Sequence, residues 1–124
     1  MMHVEVVANA GTPPYEQIRE QIARMVGGGV LAPGVRLPTI QQLANDLALA
    51  PGTVARAYKE LERDGIVVSK RRRGTSVADA PPKMPTKDIR DELDAAVERF
   101  ALAIRQLGAD HDDALGKARR LLEA

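Results

Sequence analysis

Four consecutive cations, Lys70-Arg71-Arg72-Arg73, run into Gly74-Thr75, and a second set, Arg56, Lys59 and Arg63, recurs at spacings of three and four. Residues of this kind do one sort of chemistry well. Guanidinium and ammonium groups in a row bind phosphate oxygens, and each phosphate neutralised on a nucleic acid releases counterions. Catalysis has no comparable constellation. The two histidines, His3 and His111, lie near opposite ends of the chain and in no ligand spacing. Cysteine is absent, which excludes disulfides and thiolate metal sites. Asp110, Asp112 and Asp113 fall at an expected helix start, where acids complement the helix dipole without a metal. No glycine-rich phosphate loop joins a strand to a helix. The chain reads as a non-enzyme with no catalytic residue, cofactor or metal site.

The second cation set sits on a helix expected over residues 51–64. At about 100° per residue, Val54, Ala57, Tyr58 and Leu61 share one arc, and Gly52, Arg56, Lys59 and Arg63 the opposite one. One packed face and one cationic face suit a helix laid in the major groove of duplex DNA. Tyr58 is assigned to the core with its hydroxyl at the rim. Ahead of this helix, Thr39 and Gln42 form a capping-box pattern. It opens a helix over 40–48 that buries Ile40, Leu43, Ala44 and Leu47, and the Leu49-Ala50 turn is as short as a helix-turn-helix requires. Behind it, Asp64-Gly65 closes the helix; residues 66–69 and 75–77 read as strands, with 70–74 as their basic connection. That pair is a wing.

Further upstream, residues 4–7 have strand character. Pro13-Pro14 opens a helix whose core face is Tyr15, Ile18, Ile22 and Met25, and Gly27-Gly28-Gly29 ends it. Downstream, prolines mark residues 80–85 as a linker. From Thr86, expected to cap the next helix, Ile89, Leu93, Ala96, Phe100, Ala103 and Leu107 alternate in steps of four and three, a seam too apolar for an isolated helix in water. Gly108 stops that helix. Asp110 caps a last one with Leu115, Ala118 and Leu122 on one face. Ile89, Leu93, Ala96, Phe100, Ala103, Leu107, Leu115 and Leu122 are the expected dimer interface.

The fold class that follows is mainly α with a small β wing: an N-terminal winged helix-turn-helix domain over 1–79, the linker, and a short two-helix C-terminal dimerisation region over 86–124. The 124 residues suffice for one small domain plus such an accessory piece. With 44% hydrophobic but 2% aromatic residues, the core is built of Leu, Val, Ile and Ala. A net charge of +1 leaves any electrostatic argument to local clustering. No apolar run reaches the length of a membrane span and no signal peptide opens the chain, so a soluble cytoplasmic protein is expected.

The runs PPYEQIREQI, GGGVLAPGVRLPTIQQLA, APGTVARAYKELERDGIV and RRRGTSV stand in a familiar order. Over most of residues 12–78 the chain resembles the N-terminal DNA-binding domain of the GntR family of bacterial transcription regulators. The run TVARAYKELERDGIV and a tail of about 40 residues resemble its short YtrA-like branch. The resemblance implies a homodimer that represses or tunes a nearby operon, often one encoding a membrane transporter. Larger members carry an effector-binding domain; the tail here is too small to enclose a ligand pocket, and a small-molecule effector stays open.

Carried over residue by residue, Arg36 matches the family's backbone-contacting arginine and Thr39 the hydroxyl residue that caps the next helix and binds phosphate. Thr53 matches the threonine near the start of the recognition helix, Arg56 the arginine of the branch's TVxRAY run, and Gly74 and Thr75 the end of the wing. The chain also departs from the pattern. Gln41 stands where the family usually has an arginine that reaches DNA. Ala50 and Gly52 flank Pro51 where the branch favours asparagine. Ala55 replaces a base-reading arginine, and Arg72 the wing's first glycine. The expected DNA-contacting set is therefore Arg36, Thr39, Gln41, Pro51, Gly52, Thr53, Arg56, Lys59, Arg71, Arg72, Arg73, Gly74 and Thr75. It is weighted toward backbone and minor-groove contact over direct base readout. A second reading is a winged-helix adaptor for RNA or protein. Single-strand recognition wants exposed aromatics, and Tyr15, Tyr58 and Phe100 all fit apolar stripes.

Overall fold

The computed structural model describes residues 2–83 and 86–124, the side chains of Thr86 and Lys87 excepted. The expected Thr86 cap and the 84–85 end of the linker lie outside the described residues. The chain divides into two compact units, Met1–Met84 and Pro85–Ala124. The first holds helices α1 (Pro14–Gly27), α2 (Ile40–Leu47) and α3 (Pro51–Arg63), then strands β1 (Val67–Lys70) and β2 (Gly74–Val77). The second holds α4 (Thr86–Leu107) and α5 (His111–Glu123).

In the first unit α3 is the central post. Its Val54, Ala57, Tyr58 and Leu61 are all buried, and α1 and α2 both pack against it. From α1 come Ile18, Ile22 and Val26, and from α2 Leu43 and Ala44. Leu31, Leu37, Val67 and Val77 close the core. Leu61 has no exposure, so cutting it to alanine costs about 2–5 kcal/mol. The capping box opens α2 as expected: Gln42 N–H donates to Thr39 Oγ1 at 3.1 Å and Thr39 N–H to Gln42 Oε1 at 2.9 Å. Ile40 departs from expectation and is 36% exposed. It is the first residue of a two-turn helix, and only the middle of so short an element reaches the core.

Residues 4–7 are not a strand. Val4 is buried, but the backbone around it is held by side chains of α1. Gln17 accepts from Val7 N–H at 2.8 Å and donates to the Val7 carbonyl at 2.9 Å. One turn on, Gln21 makes the same pair of bonds with Glu5. Two carboxamides thus take the place of a neighbouring strand, since each carries the donor and acceptor that a strand residue would offer.

Beside β2 the neighbour is the segment before α2. Leu37 N–H donates to the Thr75 carbonyl at 2.8 Å, Val77 N–H to the Val35 carbonyl at 2.8 Å, and Arg36 bridges to Ser76. The hairpin itself is antiparallel, Val67 opposite Val77 and Lys70 opposite Gly74. Lys70 and Gly74 are therefore its last pair rather than part of the connection.

In the second unit, Gly108 at φ +65° ends α4, and Asp110 caps α5 by accepting from Asp113 N–H at 2.9 Å. Among its described residues Ala114 is the buried hydrophobic one. Val97, Phe100, Ala101 and Ile104 of α4 line a groove with His111, Ala114 and Leu115 of α5. Val97, Ala101 and Ile104 lie beside the expected seam, which widens the apolar arc of α4. Leu93, Leu107, Leu115 and Leu122 stay more than half exposed.

Candidate nucleic-acid interface

The α2–α3 turn sets the geometry. Ala48 ends α2 in the left-handed region at φ +56°, and Leu49 N–H returns to the Ala44 carbonyl at 3.0 Å. Ala50 is extended and Pro51 begins α3 without a capping side chain. The hydroxyl of Tyr58 donates to the Pro38 carbonyl at 2.8 Å, tying α3 to the residue before the α2 cap. Burial raises the Tyr58 phenol well above its ordinary pKa.

With one side of α3 buried, Pro51, Gly52, Arg56 and Lys59 are exposed, and Thr53 is half-buried. Arg63 is tied to acids, 3.8 Å from Glu60 and 3.7 Å from Asp64. Arg56 has a partner that its helix position does not reveal. Its guanidinium lies 3.7 Å from the centroid of the Tyr15 ring on α1. Tyr15, expected to face the core, is half-buried. Next to it, Arg19 Nε donates to Glu16 Oε1 at 3.0 Å, and this bond holds the Glu16 carboxyl below the usual range. Reading the sequence misses Tyr15 because an aromatic on an apolar stripe looks like any other core residue.

The wing is joined to α3 by Ser69 N–H, which donates to Glu62 Oε2 at 2.9 Å, and across the strands Ser69 and Thr75 hydroxyls meet at 3.0 Å. Its tip is a turn closed by Arg73 N–H on the Lys70 carbonyl at 2.9 Å. The third turn residue, Arg72, has φ +70°, a place usually filled by Gly or Asn. Arg71, Arg72, Arg73 and Gly74 are all exposed. Arg36 is exposed beside β2, and Gln41, exposed on α2, donates to Asn45 Oδ1 at 3.2 Å.

A helix-turn-helix whose second helix is packed on one side and cationic on the other, followed by a basic hairpin, defines a winged helix-turn-helix DNA-binding protein. The family model for the gntR family of bacterial regulatory proteins matches residues 14–77, and the chain belongs to that family. It is 38% identical to the HTH-type transcriptional regulator Rv1152 of Mycobacterium tuberculosis, over 90% of this chain and 88% of that one. It is 40% identical to the HTH-type transcriptional repressor YtrA of Bacillus subtilis, over 61% of this chain and 58% of that protein. Among solved structures, the DNA-binding domain of AraR in complex with operator ORX1 is similar at 26% identity. Its TM-score is 0.55, over 63% of this chain and all of that one. The chain is a GntR-type, YtrA-like DNA-binding transcription regulator.

Proposed function

We propose that this regulator is a repressor that binds a two-fold operator as a homodimer. In this reading α3 lies in the major groove, with Pro51, Gly52, Thr53, Arg56 and Lys59 toward the bases and phosphates. Arg36, Thr39 and Gln41 meet the backbone, and Arg71 to Thr75 meet the backbone or the minor groove. The observation that carries it is the division of α3, in which the four residues expected inside are buried while Arg56 and Lys59 stay in solvent. The domain limits are 1–79 and 86–124, with the linker between them. The dimer is supported by the exposed apolar arc of the second unit. Leu93 is 60%, Leu107 76% and Leu122 86% exposed, more than a lone pair of helices keeps in water. Ile89, Ala96, Phe100, Ala103 and Leu115 complete the face. The repressor role is supported by the similarity to YtrA. A protein that works on chromosomal DNA in this way resides in the cytoplasm and acts by binding, not by catalysis.

Selection of bound sequences from a random duplex pool tests the reading. A two-fold consensus with half-sites about one helical turn apart is expected. A consensus without symmetry overturns the dimer. Stronger binding to single-stranded RNA across a salt series overturns the DNA assignment. Stimulated transcription from a template carrying the consensus overturns repression.

A further inference from the structure

We propose that Tyr15 is a positioning residue for DNA readout, its ring holding the Arg56 guanidinium in the orientation that meets the duplex. This rests on the placement of Arg56 in the interface above. The guanidinium sits 3.7 Å from the ring centroid, within stacking reach, and a stacked guanidinium keeps its edge N–H donors free for a base or a phosphate. The platform is fixed. Ile18 and Ile22, on the same helix as Tyr15, have no exposure and lock α1 against α3. The neighbouring acid, Glu16, accepts from Arg19, and its charge also attracts Arg56 toward α1.

The burden on Arg56 is also high. Of residues 51–55 Thr53 alone carries a side-chain donor, and Arg56 is the first cation along α3. An unstacked arginine loses rotamer freedom when it binds, and the tyrosine removes part of that loss beforehand.

The test uses the full chain, a consensus duplex selected from a random pool, and titration by fluorescence anisotropy. Four variants are compared: Tyr15→Leu, Tyr15→Phe, Arg56→Ala, and the double variant Tyr15→Leu with Arg56→Ala. Tyr15→Leu is expected to weaken binding about threefold to tenfold, and Tyr15→Phe to match the parent because the ring face is kept. In the Arg56→Ala background, Tyr15→Leu is expected to add nothing. Parent-like binding by Tyr15→Leu, equal loss in Tyr15→Phe, or an undiminished Tyr15→Leu effect without Arg56 each overturns the proposal. Parent-like binding by Arg56→Ala instead removes Arg56 from the interface, and the underlying reading fails with it. If Tyr15→Leu lowers Tm, the Phe variant and the double variant still decide.

Discussion

The guanidinium of Arg36 lies against the backbone of Gly74, so that a β-carbon there would stand 3.3 Å from Arg36 Nε and Nη2. The segment before α2 and the end of the wing are thereby one surface. Gly74 also has φ +73°, so conformation favours glycine there, while a β-carbon asks only that the flexible end of Arg36 give by a few tenths of an ångström. Gly74→Ala should cost about 1–2 kcal/mol from the left-handed backbone alone and displace Arg36. In an Arg36→Ala background the contact share disappears and the conformational share remains. Urea unfolding of the four-protein set separates the two, and equal losses in both backgrounds would show that the contact carries no energy.

Ala48 occupies the left-handed C-cap of α2 at φ +56°, where glycine carries no Cβ penalty. Ala48→Gly should raise stability by about 0.5–1 kcal/mol, the strain relieved less the extra freedom of the unfolded glycine. A midpoint of urea unfolding unchanged or lower than the parent's would show that the turn holds no such strain.

Tyr58→Phe removes the donor to the Pro38 carbonyl and should destabilise by about 0.5–1.5 kcal/mol. The pH dependence has a definite sign. Folding raises this phenol's pKa, so the unfolded chain releases the proton first. Its contribution is complete below about pH 10, the ordinary tyrosine value, and is lost as pH rises above it. Thermal unfolding between pH 8 and 11 should show an alkaline decline that is smaller in Tyr58→Phe. Identical declines would assign it to other groups.

Each wing arginine placed on a phosphate contributes about one unit to the slope of log affinity against log salt. Neutralising Arg71 and Arg73 to glutamine should flatten that slope by about two, with similar losses on consensus and random duplex. An unchanged slope would place the wing off the DNA.

Phe100, 37% exposed, lies where the groove against α5 meets the expected seam. Phe100→Asp would bury a carboxylate in any dimer formed through this face. Sedimentation should report a monomer, with operator affinity reduced and the first unit's unfolding unchanged. A variant that stays dimeric would move the interface elsewhere.

The division of α3 was legible because helical period alone separates Val54, Ala57, Tyr58 and Leu61 from Arg56 and Lys59. Local chemistry made the caps readable too: the Thr39–Gln42 box, Asp110 before α5, and Gly65 at φ +75° after α3. These are interactions between residues a few positions apart, and short-range geometry is fixed by the chain itself. The strand pattern of residues 4–7 does not say what the backbone pairs with, and here two glutamines on α1 supply the partners in place of a strand.

Sequence by itself thus determined the helices, the presence of the hairpin, their polarity and the family, through periodicity, capping and motif order. Tertiary structure alone decided which segment completes the wing's sheet, that Arg36 rests on Gly74 and that Tyr15 lies under Arg56. The partners in these contacts are separated by 38 and 41 positions, and nothing in the local pattern of either residue encodes the other. Only the packing of α1 and the hairpin about α3 brings them together.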